Sequence, residues 1–193
     1  METFTLQIPE QDKFSEEELL RFCEANKDLR IERDEFGQII IMSPVTSFFS
    51  NQNFIVNAFL GVWVIANPSL GYAFESSAGF TLPDKSMRSP DAAWVRREKW
   101  DALTQEQQQS FAPICPDFVI ELRSKSDSLS QLKLKMQKWV SNGCQLAWLI
   151  DGIERKAYVY TSSKQSPEEF SFESKLGGGS LLPGFELDLG KLS

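Results

Sequence analysis

Two carboxylates thirty positions apart, Asp91 and Glu121, frame the chemistry open to this chain. Asp91 follows Ser89-Pro90 and opens an apolar run to Arg96, while Glu121 lies inside Pro116-Asp-Phe-Val-Ile-Glu-Leu-Arg123. Side chains alternate along an extended chain, so Phe118, Ile120 and Leu122 share one face and Val119, Glu121 and Arg123 the other. An acid and a base on one strand face among apolar neighbours are costly to bury without work to do. Carboxylates offered from two strands beside a cation suit a hard divalent metal, which activates water and offsets the charge of a phosphodiester. Asp91 and Glu121 are therefore candidate metal ligands, with a backbone carbonyl near Leu122 as a third donor. Arg123 is a candidate phosphate contact, since a guanidinium is not a base at neutral pH. Asp117, next to Pro116, competes as a ligand or serves strand entry.

A lysine would complete such a site by orienting the nucleophile and offsetting negative charge. Lys125 stands just past the strand. Lys133 and Lys135 flank the apolar stripe of the following helix, and either could send its amine to the strand end. Spacing does not choose between them; Lys138 points to solvent. Glu32 reads as a solvated edge carboxylate or as a third acidic member of the site.

The elements that must position these residues follow from local pattern. Ser15-Glu-Glu-Glu18 is a capping box opening a short helix. Leu29–Arg33 and Gln38–Met42 form a hairpin about Asp34-Glu-Phe-Gly37. Asn53 to Ala66 reads as a helix, mostly buried, with Phe54, Ala58, Val62 and Ile65 as its stripe and Asn67-Pro68 as its stop. Tyr72–Glu75, Gly79–Leu82 and Pro90–Arg96 are extended, and Thr104–Gln109 is a polar surface helix. Ser126 or Asp127 caps a helix ending at Asn142-Gly143, with Leu129, Leu132, Met136, Trp139 and Val140 as core packing. Gln145–Asp151 is a strand covered on both faces, joined to Phe118–Leu122 by a right-handed parallel crossover. Lys156–Tyr160 pairs after an Asp151-Gly152 turn, and Phe170–Phe172, Leu181–Leu182 and Phe185–Leu187 are short closing strands.

Composition narrows the chemistry further. The 193 residues, 41% hydrophobic and 12% aromatic, fit one folded domain over 1–193. There is no histidine, which removes Ser-His and Cys-His catalysis and His-ligated zinc. The net charge of −7 argues against a nonspecific nucleic-acid coat, so a local patch (Arg123, Lys125, Lys133, Lys135, Lys138) must serve. Three cysteines without metal spacing imply free thiols and a reducing cytoplasm. No apolar run reaches the roughly 20 residues that span a bilayer, and no membrane partner is expected.

These residues together resemble the Uma-two family of the PD-(D/E)XK nuclease superfamily. The likeness rests on Ser-Pro-Asp91, Pro-Asp-Phe-Val-Ile-Glu121-Leu-Arg-Ser, Leu-Lys-Met-Gln-Lys-Trp139 and Asn-Gly-Cys-Gln-Leu-Ala-Trp-Leu-Ile-Asp151. Arg30-Ile-Glu-Arg33, Gly37-Gln-Ile-Ile-Ile-Met-Ser-Pro44 and Ser77-Ala-Gly-Phe-Thr-Leu-Pro83 add to it. The resemblance implies an α/β (α+β mixed sheet) restriction endonuclease-like core, with Mg²⁺ or Mn²⁺ at Asp91 and Glu121 and DNA as substrate. It implies that Lys135 replaces the superfamily lysine, whose position holds Arg123, and that Glu32 completes the metal site. Val45-Thr-Ser-Phe-Phe-Ser50 is bulky where relatives carry glycines, and Lys125 stands where a proline is frequent. The alternative is a nuclease fold without catalysis, serving binding or assembly. A homodimer suits either reading, through Phe48 and Phe49, taken as exposed, or the strands after Ser162.

Overall fold

The computed structural model describes residues 3–192. In chain order the elements are β1 (Thr3–Leu6), α1 (Glu16–Ala25), β2 (Arg30–Arg33), β3 (Ile39–Met42), α2 (Ser47–Ala66), β4 (Gly71–Glu75), β5 (Phe80–Thr81), β6 (Met87–Arg88) and β7 (Ala92–Arg96). There follow α3 (Arg97–Asp101), α4 (Gln105–Gln108), β8 (Phe118–Leu122), α5 (Leu129–Ser141), β9 (Leu146–Asp151), β10 (Lys156–Thr161), β11 (Glu168–Ser171), β12 (Lys175–Gly177) and β13 (Glu186–Asp188). Short 3₁₀ turns occupy Glu10–Asp12 and Leu189–Leu192.

The central sheet has six strands in the order β11-β10-β9-β8-β7-β4. Its β8–β9 pair is parallel, with Glu121 opposite Leu149, and its other neighbours are antiparallel. Parallel strands need a crossover, and α5 supplies it. All of β8 and β9 is buried, because α2 covers one face and α5 the other. Phe118, Ile120 and Leu122 pack with α2, while Val119 packs with Met136 and Trp139 of α5, as the alternation requires. A five-stranded sheet, β1-β3-β2-β6-β5, carries Glu32, and a two-stranded sheet pairs β12 with β13.

Local signals explain most boundaries. Ser15 and Glu18 exchange both capping-box hydrogen bonds. In the β2–β3 turn Asp34 accepts from the amides of Phe36 and Gln38. Gly37 there takes a φ of 81°, which other residues adopt at a cost.

Several expectations are corrected. α2 starts at Ser47, not Asn53, because Thr46 accepts from the Phe49 amide and caps it six residues early. Its buried stripe is Phe49, Gln52, Val56, Leu60 and Trp63, whereas Phe54, Ala58, Val62 and Ile65 face outward. Phe49 is therefore core and only Phe48 is exposed. At 20 residues without a charge, α2 is long and apolar enough to cross a membrane by length and composition alone, although polar residues interrupt its apolar run. The α5 cap is Ser128, while Asp127 turns back to accept from the Ser124 amide. Leu181–Leu182 is not a strand, and α3 went unforeseen.

Candidate active site

The β7 and β8 strands bring Asp91 and Glu121 to the same end of the central sheet, and β2 delivers Glu32 from the other sheet. All three carboxylates are buried. They line a cleft of about 350 Å³ together with Arg30, Arg88 and Lys135.

Asp91 sits one residue before β7, where Ala92 pairs with Ile120. Its Oδ2 accepts from the Leu122 amide at 2.8 Å and its Oδ1 from Asn53 Nδ2 at 3.0 Å. Asn57 donates to the Asp91 carbonyl at 3.0 Å, and the Arg30 guanidinium lies 3.8 Å from Oδ1. Burial raises the Asp91 pKa, and Arg30 and the Leu122 amide offset that only in part.

Glu121 accepts from Trp139 Nε1 at 2.8 Å, and Lys135 Nζ lies 2.9 Å from the same oxygen. Burial pushes its pKa to about 7: Lys135 pulls it down, while Asp91 and Glu32 push it up. Glu32 meets the opposite balance. Arg88 donates to its Oε2 at 3.0 Å, and Lys135 and the Ser89 amide donate to its Oε1 at 2.9 Å and 3.0 Å. Burial opposes its charge, yet Lys135 and Arg88 outweigh burial and hold the pKa at about 2.

Lys135 is the lysine that reaches the site. Its amine bridges Glu32 and Glu121 at 2.9 Å each, so although burial disfavours its charge, the two carboxylates hold its pKa above the ordinary value. Lys133 leaves in another direction and lies 3.9 Å from the centroid of the Tyr158 ring. Lys138 pairs with Glu35 rather than pointing free into solvent.

Arg123 is not on the Glu121 face. The residue lies one position beyond β8, where strand alternation ends, and its guanidinium donates to Asp151 at 2.6 Å and to Glu154 at 3.2 Å. Asp117 is likewise elsewhere, accepting from the Arg96 amide and Gln145 at the opposite end of β8. Sequence reasoning missed Asn53, Asn57, Arg88 and the polar role of Trp139. Two asparagines four apart on an uncharged helix were the legible signal for the first pair.

Hard oxygen donors suit Mg²⁺ or Mn²⁺. Among the described residues no group of three or more His, Cys, Asp or Glu is arranged to hold a metal, so the three-carboxylate cage expected with Glu32 is not formed. Glu32 is committed to Arg88, Lys135 and the Ser89 amide. The pair Asp91 and Glu121 fits a cation differently: burial outweighs Arg30 at Asp91 and Lys135 at Glu121 and raises both pKa values, whereas at Glu32 the cations outweigh burial.

The sequence profile of the Uma2 family, described as "Putative restriction endonuclease", matches residues 16–190. The chain belongs to the Uma2 (Uma-two) family. Its fold is similar to a crystal structure from Anabaena variabilis ATCC 29413, described as "a putative nuclease belonging to DUF820". The two share 20% identity with a TM-score of 0.70, covering 84% of this chain and 88% of the other. No curated protein matches the chain. This Uma2 protein thus has the mixed sheet flanked by helices of a restriction endonuclease-like fold.

Proposed function

We propose that this Uma2 protein is a divalent-metal-dependent endonuclease that hydrolyses DNA, with Asp91 and Glu121 as its metal ligands and Lys135 as its lysine. The observation that carries the reading is the charge imbalance at one strand end. Two adjacent carboxylates are buried, and burial raises both pKa values although Arg30 lies 3.8 Å from Asp91 and Lys135, shared with Glu32, lies 2.9 Å from Glu121, so more positive charge is needed to keep both ionised. A bound Mg²⁺ or Mn²⁺ would supply that charge and would polarise a phosphodiester oxygen and a water.

The chain's own residues do the rest. The Leu122 amide and Asn53 fix the Asp91 carboxylate, and Trp139 fixes one oxygen of Glu121. Lys135, held protonated, is a hydrogen-bond donor that orients the nucleophile and offsets charge on the phosphoryl oxygens; it is not a resting base. Glu32 holds the amine in place and Arg88 holds Glu32. Arg123, committed to Asp151, is left out of this set.

The test is plasmid cleavage with Mg²⁺ or Mn²⁺ by wild type, Asp91→Asn and Glu121→Gln. Each substitution is expected to lower the rate at least about 100-fold with the circular dichroism spectrum unchanged. Wild-type cleavage by folded Asp91→Asn would sink the assignment. A wild type that cleaves no DNA with either ion and binds no Mn²⁺ would instead support a non-catalytic binding module.

A further inference from the structure

The outward stripe of α2 has no counterpart in the site chemistry. Phe54 is 71% exposed, Val62 70% and Ile65 80%, on a helix without one charged residue. Side chains so apolar and so open are seldom grouped on a monomer's surface. We propose that this stripe is the contact through which two copies of the chain pair, their α2 helices antiparallel about a twofold axis.

Three observations select a second copy as the occupant. A twofold contact must be self-complementary, so that residue i meets j and j meets i. Phe54, Ala58, Gly61 and Ile65 fall within about 60° of one another round the helix, counted at about 100° per residue. Their order is large, small, small, large. Turned about a point between Phe59 and Leu60, Phe54 meets the second copy's residue 65 and Ala58 its residue 61. The bulky ends thus meet and the small centre admits close approach. Gly61 is open for that approach, since a Cβ added there meets nothing within 4 Å.

Charge gives the second reason: with none on the stripe, a partner offers no ion pairs here, and the stripe itself is such a surface. Area gives the third. The exposed apolar stripe amounts to on the order of 500 Å² per chain, or about 1,000 Å² for the pair, the lower bound of a specific interface. Ser47, Ser50 and Asn51 extend it as a polar margin.

The pairing has a functional reach that rests on the nuclease reading. Asn53 and Asn57, which hold Asp91, lie on the flank of the same stripe. Two copies joined there would hold their Asp91 centres at a fixed separation about the twofold axis.

Sedimentation of metal-free wild type, Val62→Glu and Gly61→Leu tests the association without any cleavage readout. Wild type is expected at twice the monomer mass, with the dissociation constant raised at least tenfold in both variants. Val62 is exposed and position 61 is open, so both variants should keep the wild-type circular dichroism spectrum. In Gly61→Leu the added side chain fits the monomer and obstructs only the close approach. A monomeric wild type, or a dimer untouched by either substitution, overturns the proposal. Flotation of a monomeric wild type with anionic vesicles, abolished in Val62→Glu, overturns it in favour of a lipid surface.

Discussion

Lys135 and its two carboxylates form a unit in which no member can be removed quietly. Replacing Lys135 by Met removes the cation that lowers the Glu121 pKa, so Glu121 takes up its proton above the wild-type value of about 7. The stability lost, about 3 kcal/mol at alkaline pH where the carboxylate is buried ionised, should therefore shrink in urea unfolding as the pH falls to 5. The same raised pKa governs metal binding. A metal takes the ionised carboxylate, so at pH 6, where Glu121 is mostly protonated, Mn²⁺ must displace about one proton. Affinity is therefore expected to rise with pH up to about 7 and then level off. Calorimetry in buffers of different ionisation enthalpy would show this; binding without proton release at pH 6 would contradict it. Asp91 and Glu121 were legible because one opens an apolar strand pattern and the other interrupts one with a charge. Glu32 was legible as a position and not as a state, since its ionisation depends on Arg88, a partner fifty-six residues away. Asn53, Asn57 and Trp139 were hidden for a related reason: an amide on a helix, or an indole in a core stripe, shows nothing of the carboxylate it will meet.

The elements that position the site were mostly visible, and the errors fall where local pattern loses its grip. The β8–α5–β9 crossover follows from two apolar runs joined by one helical period, and the parallel register bears it out. In α2 the periodicity was real and ambiguous. A helix apolar nearly all round offers two stripes on opposite sides, and only the sheet packed against it decides which is inside. Lys133 and Lys135 posed a similar choice, settled by where Tyr158 and Glu32 lie. Arg123 marks the limit of strand alternation. One residue past β8 the chain has left the strand, and the side chain swings to Asp151 at the end of β9. Arg123→Ala should thus strand the fully buried Asp151 carboxylate. Losing that partner should cost about 2 kcal/mol of stability, the scale of a buried acceptor left unsatisfied. Cleavage per folded molecule should stay within a few fold of wild type. A hundredfold loss of cleavage with unchanged unfolding would return Arg123 to the phosphate.

At the scale of the whole molecule, the charge distribution decides how a nucleic acid could be held. The net charge is −7, and the five cations of the expected basic patch are largely spent. Arg123 pairs with Asp151, Lys135 with Glu32 and Glu121, and Lys138 with Glu35, while Lys133 lies over Tyr158. A protein that binds DNA by its own lysines and arginines releases condensed counterions and loses affinity steeply with salt. Here five carboxylates (Glu32, Asp34, Asp91, Glu121 and Asp127) outnumber four cations (Arg30, Arg88, Lys135 and Lys138) round the cleft, so a phosphate approaching without a metal finds no surplus of positive charge. Duplex binding should accordingly require a divalent ion: negligible retention in EDTA, and recovery in Ca²⁺. With Ca²⁺ the salt dependence should be shallow, because few protein cations replace counterions. Fluorescence anisotropy of a labelled duplex across a salt series measures both quantities. Tight binding in EDTA with a steep salt slope would place the nucleic-acid contact on a basic surface outside the cleft, and Asp91→Asn would then leave affinity unchanged. Binding that appears only with the ion and vanishes in Asp91→Asn would tie recognition and chemistry to the same two carboxylates.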